Sequence, residues 1–311
     1  MTAMIARVSR ADHRDTPSWL LIAAMLGSFL AAQYHHRFSV DPIRAAPAIA
    51  SLMALGSAMT IGRYTMRPRL AAGATAFLQM TLFTLLGVVL AYALAANAGQ
   101  LWDVRLAAAD RAVGFNWPVM LALLDTYPPA IWLLGLAYHS LTLQMIVVIV
   151  ALSGMGKFDT LRIMVCAAIL SGFVTILISG LTPAMGNLFD PSRYAHLWPS
   201  IAWLEQGLIS GLRDGSQRVL DLSMLMGIVT FPSFHATLAA IFIWAFGAMP
   251  RVALPGRAWA ILTIVATPIF GGHYGMDVIV GLVLAPPALL AARHLTRQRQ
   301  PSHQVDSALP A

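Results

Sequence analysis

Long stretches without a charged residue alternate along the chain with short, often basic, connectors. The apolar runs are roughly 15 to 28 residues long, and about 20 apolar residues are enough to cross a bilayer as a helix. Eight such runs predict eight helices, near 19–34, 45–61, 70–96, 130–152, 161–181, 234–249, 258–271 and 276–292. Two connectors are long. In residues 97–129, the spacing from Leu101 to Val113 suits an amphipathic helix lying at an interface, with Trp102 and Trp117 as aromatic-belt residues. Residues 182–233 carry Pro183, Gly186, Pro191, Pro199, Gly211 and Gly215, too punctuated for one long helix. With Trp198 and Trp203 they predict a cap folded over the membrane surface. No internal repeat or low-complexity tract stands out.

Composition agrees with the pattern. The chain is 58% hydrophobic and 11% charged, with a mean hydropathy of +0.72, which excludes an ordinary soluble domain. The fold class it predicts is all-α, a polytopic membrane helix bundle of about eight transmembrane helices. If successive connectors alternate sides, thirteen of the twenty basic residues fall on one side, with both termini. They are Arg7, Arg10, Arg14, Arg63, Arg67, Arg69, Lys157, Arg162, Arg251, Arg257, Arg293, Arg297 and Arg299. The positive-inside rule makes that side cytoplasmic. The net charge of +7 is then topological, and no basic stripe interleaved with aromatics points to nucleic acid. Cys166 is the single cysteine, so an internal disulfide is excluded. The polar leader ahead of the first run is long, which predicts a signal anchor over a cleaved signal peptide.

The basic connector from Arg63 to Arg69 divides the chain. Residues 18–69 read as two additional helices, 70–293 as a six-helix membrane core, and 1–17 and 294–311 as cytoplasmic tails.

Ionisable groups at the ends of apolar runs are costly and usually functional. Phe231-Pro232-Ser233-Phe234-His235 opens one run; Gly271-Gly272-His273-Tyr274-Gly275-Met276-Asp277 opens the last. His273 and Asp277 are four apart, so a helix starting there puts both on one face. The carboxylate can accept the proton of one imidazole nitrogen and leave the other nitrogen's lone pair free, the arrangement of a nucleophilic histidine. His235 is a candidate acid and base, titrating near neutrality. Ser233 can donate to a phosphoryl oxygen, the start of its helix offers free N–H groups, and Gly272 lets backbone approach an anion. A zinc site from His235, His273 and Asp277 uses the same ligand types. His35, His36 and His139 read as interfacial residues without a role.

These residues resemble the membrane branch of the type 2 phosphatidic acid phosphatase (PAP2) superfamily. Pro232-Ser233-Phe234-His235 is similar to its Pro-Ser-Gly-His motif, and His273-x3-Asp277 to the end of its Ser-Arg-x5-His-x3-Asp motif, with Ala266-Thr267 where Ser-Arg would stand. The family's Lys-x6-Arg-Pro would align with Thr175 to Thr182-Pro183, where both basic residues are missing. The Phe-Pro-Ser-x-His and His-Tyr-x2-Asp-Val forms look closer to the inositol-phosphorylceramide-synthase-like subgroup. The resemblance implies a PAP2-like six-helix core and metal-independent phosphoryl transfer with no cofactor. It also implies His273 as nucleophile, Asp277 as its partner and His235 as acid/base. Replacements for the missing cations would come from the cap, with Arg213 first, then Arg218 and Arg193. Thr182 and Asn187 could add neutral hydrogen bonds, and Tyr138 and Gln144 either line the cavity or bond neighbouring helices.

The expected activity is that of a lipid-phosphate phosphatase or phosphotransferase at the exoplasmic face of a bacterial inner membrane. Its substrate would be a phospholipid or polyprenyl phosphate. The alternatives are headgroup transfer to a lipid alcohol and a non-catalytic lipid or anion transporter. Oligomeric state is left open.

Overall fold

The computed structural model describes residues 14–36, 38–97 and 99–297, with residues 34–36 described by their backbone alone. Most of both expected tails, including Arg7, Arg10 and Arg299, lies outside the described residues, as do the side chains of His35 and His36.

The described residues form twelve α-helices: α1 Thr16–His36, α2 Pro42–Tyr64, α3 Pro68–Ala96, α4 Asp103–Ala112, α5 Trp117–Asp125, α6 Pro128–His139, α7 Leu141–Gly154, α8 Phe158–Leu181, α9 Ile201–Asp214, α10 Phe234–Phe246, α11 Ala253–Phe270 and α12 Gly275–Thr296. Six of them (α1, α2, α3, α8, α11 and α12) are long and apolar enough to cross a membrane, and α5 with α6, bent by 112°, makes a seventh candidate. The chain is an all-α, multi-pass membrane bundle.

Two of the eight expected spans differ from the simple reading. The run 130–152 is two helices, α6 and α7, meeting at Ser140. The Ser140 hydroxyl donates to the Ala137 carbonyl at 2.8 Å and accepts from Trp259 Nε1 at 2.8 Å and Gln144 Nε2 at 3.1 Å. A serine bonded to its own preceding turn competes with the helical ladder. The run 234–249 is the 13-residue α10, about 20 Å long at 1.5 Å per residue, against a hydrocarbon core of about 30 Å. It starts inside the protein, because Pro232 and Ser233 ahead of it are already buried.

Helix α10 sits at the centre, packed on α7, α8, α11 and α12, with α3 and α12 both against α8. Without a hydrophobic drive between helices in lipid, close backbone approach and hydrogen bonds hold such a bundle. Gly281 of α12 supplies both: a Cβ there would lie 2.3 Å from the Ser233 carbonyl oxygen, and its own carbonyl accepts from Thr237 Oγ1 at 2.8 Å. Helix α1 packs on α3 and α8, and α2 chiefly on α3.

The expected amphipathic helix is α4, and it packs on the start of α12. The expected cap is a 3₁₀ turn at Pro191–Arg193 followed by α9, which lies against α3. Asp125 anchors it by accepting the N–H groups of Ala195, His196 and Leu197 at 2.8 to 2.9 Å. A two-residue parallel ladder, β1 Ser39–Val40 with β2 Val219–Leu220, ties the α1–α2 connector to the segment after α9.

Candidate active site

Ser233 and Asp277 join the two motif segments. The Ser233 N–H donates to the Asp277 carbonyl at 3.0 Å, so the starts of α10 and α12 are fixed against each other. His235 is the second residue of α10, and His273 lies two residues ahead of α12. The rings of His235 and His273 are 6.3 Å apart, centroid to centroid, and tilted by 53°. Two hydrogen-bond contacts of about 3 Å each cover that separation, so one tetrahedral anion could touch both.

His273 is 4% exposed. Its Nδ1 lies 2.8 Å from the Thr230 carbonyl oxygen and 3.4 Å from Asp277 Oδ2. A carbonyl can only accept, so Nδ1 carries the proton and the lone pair is on Nε2. Burial pushes the His273 ring down to about 4, against the Thr230 carbonyl, which favours the protonated ring. The imidazole is therefore neutral near pH 7, the form a nucleophile needs. The expected orienting carboxylate is present but shared. Asp277 Oδ2 also accepts the Tyr274 N–H at 2.8 Å, and its buried Oδ1 has no hydrogen-bond partner among the described residues.

His235 stacks on Tyr138 at 4.8 Å and 16°. It lines a cavity of about 320 Å³ between α3, α7, α8 and α10, whose walls include Met80, Phe83, Leu141, Met145 and Ile176. The cavity is largely apolar, and His235 is part of its lining.

Two carboxylates of α4 hold the second motif in place, and the sequence reading assigned neither a role. Asp110, 1% exposed, accepts the N–H groups of Gly275 at 2.8 Å and Met276 at 2.9 Å, capping α12 from a different helix, and also accepts Trp117 Nε1 at 2.6 Å. Asp103 accepts the Tyr274 hydroxyl at 3.0 Å and the Met185 and Gly186 N–H groups. The signal available was that Asp103 and Asp110 are seven apart, hence on one helical face.

The other expected residues divide. Ser233 is fully buried as the N-cap of α10, its Oγ accepting the Ala236 N–H at 3.3 Å. Gly272 takes a left-handed φ of +71°, and the space a Cβ would fill is occupied by Ala202 Cβ and Ser200 Oγ at the start of α9. The close approach it permits is thus to the cap. Its carbonyl accepts the Asn187 N–H at 2.6 Å. Thr182 donates back to Ile178 at 2.8 Å.

Arg213 donates Nη2 to Gly99, while its buried Nη1 has no partner among the described residues. Its side chain borders a small cavity with Pro183, Ala184 and Thr230, on the Nδ1 side of His273. Arg218 is directed elsewhere, donating to the Leu212 and Gln217 carbonyls and lying over Phe38. Arg193 is exposed and faces Asp190. Gln144 bonds Thr263 and Ser140, joining helices. No group of three or more His, Cys, Asp or Glu side chains converges as metal ligands among the described residues.

Glu205 is the residue with no warning in the sequence. It sits on α9 one turn past Ala202, is 4% exposed, and its Oε1 is buried without a partner among the described residues. Burial pushes its carboxyl up to about 8.

A family model described as the PAP2 superfamily matches residues 104–291. No curated protein and no solved structure matches the chain.

Proposed function

Because the chain belongs to the PAP2 superfamily, we propose that it is an integral-membrane lipid-phosphate phosphatase or phosphotransferase working through a phosphohistidine. One observation carries the reading: the ring of a neutral histidine, its Nδ1–H held by the Thr230 carbonyl, stands 6.3 Å, centroid to centroid, from that of a second histidine that lines an apolar cavity.

His273 Nε2 attacks phosphorus as the bond from phosphorus to the ester oxygen breaks. The departing oxygen keeps the electron pair and takes a proton from His235. In the second half His235 removes a proton from the acceptor, whose oxygen attacks phosphorus, and the P–N bond returns its electrons to Nε2. Asp277, with the Thr230 carbonyl, stabilises the positive charge that His273 carries in between. The N–H groups opening α10 stand in for the missing cations, since Arg213 lies on the Nδ1 side of His273, away from the attacking Nε2. Residues 70–293 form the catalytic core, and residues 18–69 add two helices. Both termini are cytoplasmic and the histidines face the exoplasmic leaflet of a bacterial inner membrane.

The apolar character of the cavity favours a lipid alcohol over water as acceptor, the second reading. Phosphate release in mixed micelles, with and without candidate alcohols, separates the two. The mechanism is tested by quenching turnover of a ³²P-labelled lipid phosphate without acid. Wild type should retain label on His273, and His235→Ala should accumulate it or react too slowly to load. Label retained in His273→Ala would refute the assignment.

A further inference from the structure

At the end of the bundle opposite the histidines, α1 and α8 begin and α12 finishes. Between them lies a cavity of about 580 Å³ whose described lining is Arg14, Arg162, Arg293 and Arg297 with Asp159, Ile163 and Thr296. Four guanidinium groups thus share one volume. Two are partly compensated: Arg14 pairs with Asp159, and Arg162 with Asp15 at 3.0 Å and Asp159 at 3.6 Å. Arg293 and Arg297 form no ion pair among the described residues. Arg293 lies 5.3 Å over the Trp244 ring. The Nε of Arg14 is buried without a partner among the described residues.

A topological excess of arginine accounts for basic residues at this end but not for their gathering around one cavity. Like charges so placed repel unless an anion lies between them, and a planar guanidinium fork matches a phosphate in two-point contact. Trp244 fits headgroup depth, where indole rings concentrate.

We propose that this cavity binds a phosphate group, drawn from an anionic phospholipid headgroup or from free phosphate. The site is separate from the catalytic one, since Asp277 and the lining residue Thr296 are nineteen positions apart along α12, about 28 Å at the helical rise. Basic pockets between membrane helices suit anionic headgroups in this way.

The test uses the full chain in neutral detergent and follows thermal unfolding with three additives: dioleoylphosphatidylglycerol, dioleoylphosphatidylcholine and inorganic phosphate. A saturable rise in midpoint, on the order of 5 °C, is expected with the anionic lipid and not with phosphatidylcholine. The same rise with inorganic phosphate alone assigns the site to the free anion. Arg293→Gln with Arg297→Gln should remove the rise, and Arg297→Gln alone, at the exposed helix end, should reduce it if the double variant fails to fold. His273→Ala should keep it in full. An equal rise with phosphatidylcholine, a rise untouched by the arginine variants, or one lost in His273→Ala would overturn the proposal.

Discussion

The Thr230 carbonyl oxygen is 2.8 Å from His273 Nδ1, nearer than the Asp277 carboxylate at 3.4 Å. The imidazole tautomer is therefore fixed by backbone as well as by the acid. Asp277→Asn should keep the ring oriented and lose only the charge that supports the phosphorylated ring. Bonds to charged groups contribute about 1.5–3 kcal/mol, so kcat should fall about 10- to 100-fold, while His273→Ala falls to background. Equal losses in the two variants would show that the carbonyl does nothing for the tautomer.

Capping of α12 by Asp110 makes a second expectation. Asp110→Ala leaves the buried Gly275 N–H and the half-buried Met276 N–H without an acceptor, a loss of about 1–3 kcal/mol. Asp110→Asn keeps one acceptor oxygen and should recover part of both midpoint and activity. Thermal unfolding and turnover of the two variants, compared side by side, check this.

Gly272→Ala is expected to be worse than a loop substitution usually is. The left-handed φ costs an alanine about 1–2 kcal/mol, and the new methyl would lie 2.5 Å from Ala202 Cβ. Adding Ala202→Gly should relieve the closest collision and leave the backbone cost and the Ser200 Oγ contact at 2.9 Å, so the double variant should unfold between Gly272→Ala and wild type.

The apolar cavity should select on tail length. Met145→Trp fills part of the wall beside α10, so KM for long-chain lipid phosphates should rise several-fold or more. Hydrolysis of a short soluble phosphate ester should hardly change. A parallel loss on both substrates would mean that the cavity does not hold the tail.

Glu205 predicts a pH dependence. Its folded-state pKa of about 8 exceeds the ordinary carboxyl value of 4.5, so the fold prefers the protonated form. The stability this contributes is complete below pH 4.5 and is lost as pH rises towards 8, at up to ~1.4 kcal/mol per unit. Glu205→Gln cannot ionise. Its midpoint should track that of wild type below pH 4.5 and exceed it increasingly up to pH 8, and parallel curves would contradict the burial argument.

The sequence made the bundle, the cap and the pairing of the two motifs legible, because apolar length and motif spacing are local properties. His235, His273 and Asp277 could be proposed together because ionisable groups at greasy ends stand out. Thr230 could not, since a carbonyl has no letter of its own. Asp103 and Asp110 read as water-facing residues of an amphipathic helix until α4 is seen turned onto α12. Glu205 looked like one more polar residue in a punctuated loop; only packing buries it. The break at Ser140 was hidden because a hydroxyl inside an apolar run signals nothing until its partners arrive from another helix.

Those partners matter beyond the break. Trp259 and Gln144 meet at the Ser140 hydroxyl, two residues from the Tyr138 ring on which His235 rests. The angular setting of that ring is thereby keyed to α11 by polar contacts inside the bundle, where solvent offers little substitute for a lost partner. Alignment of the proposed acid–base residue thus depends on how faithfully two remote helices stay in phase, and a slip of one position between them would misdirect its proton without touching either motif.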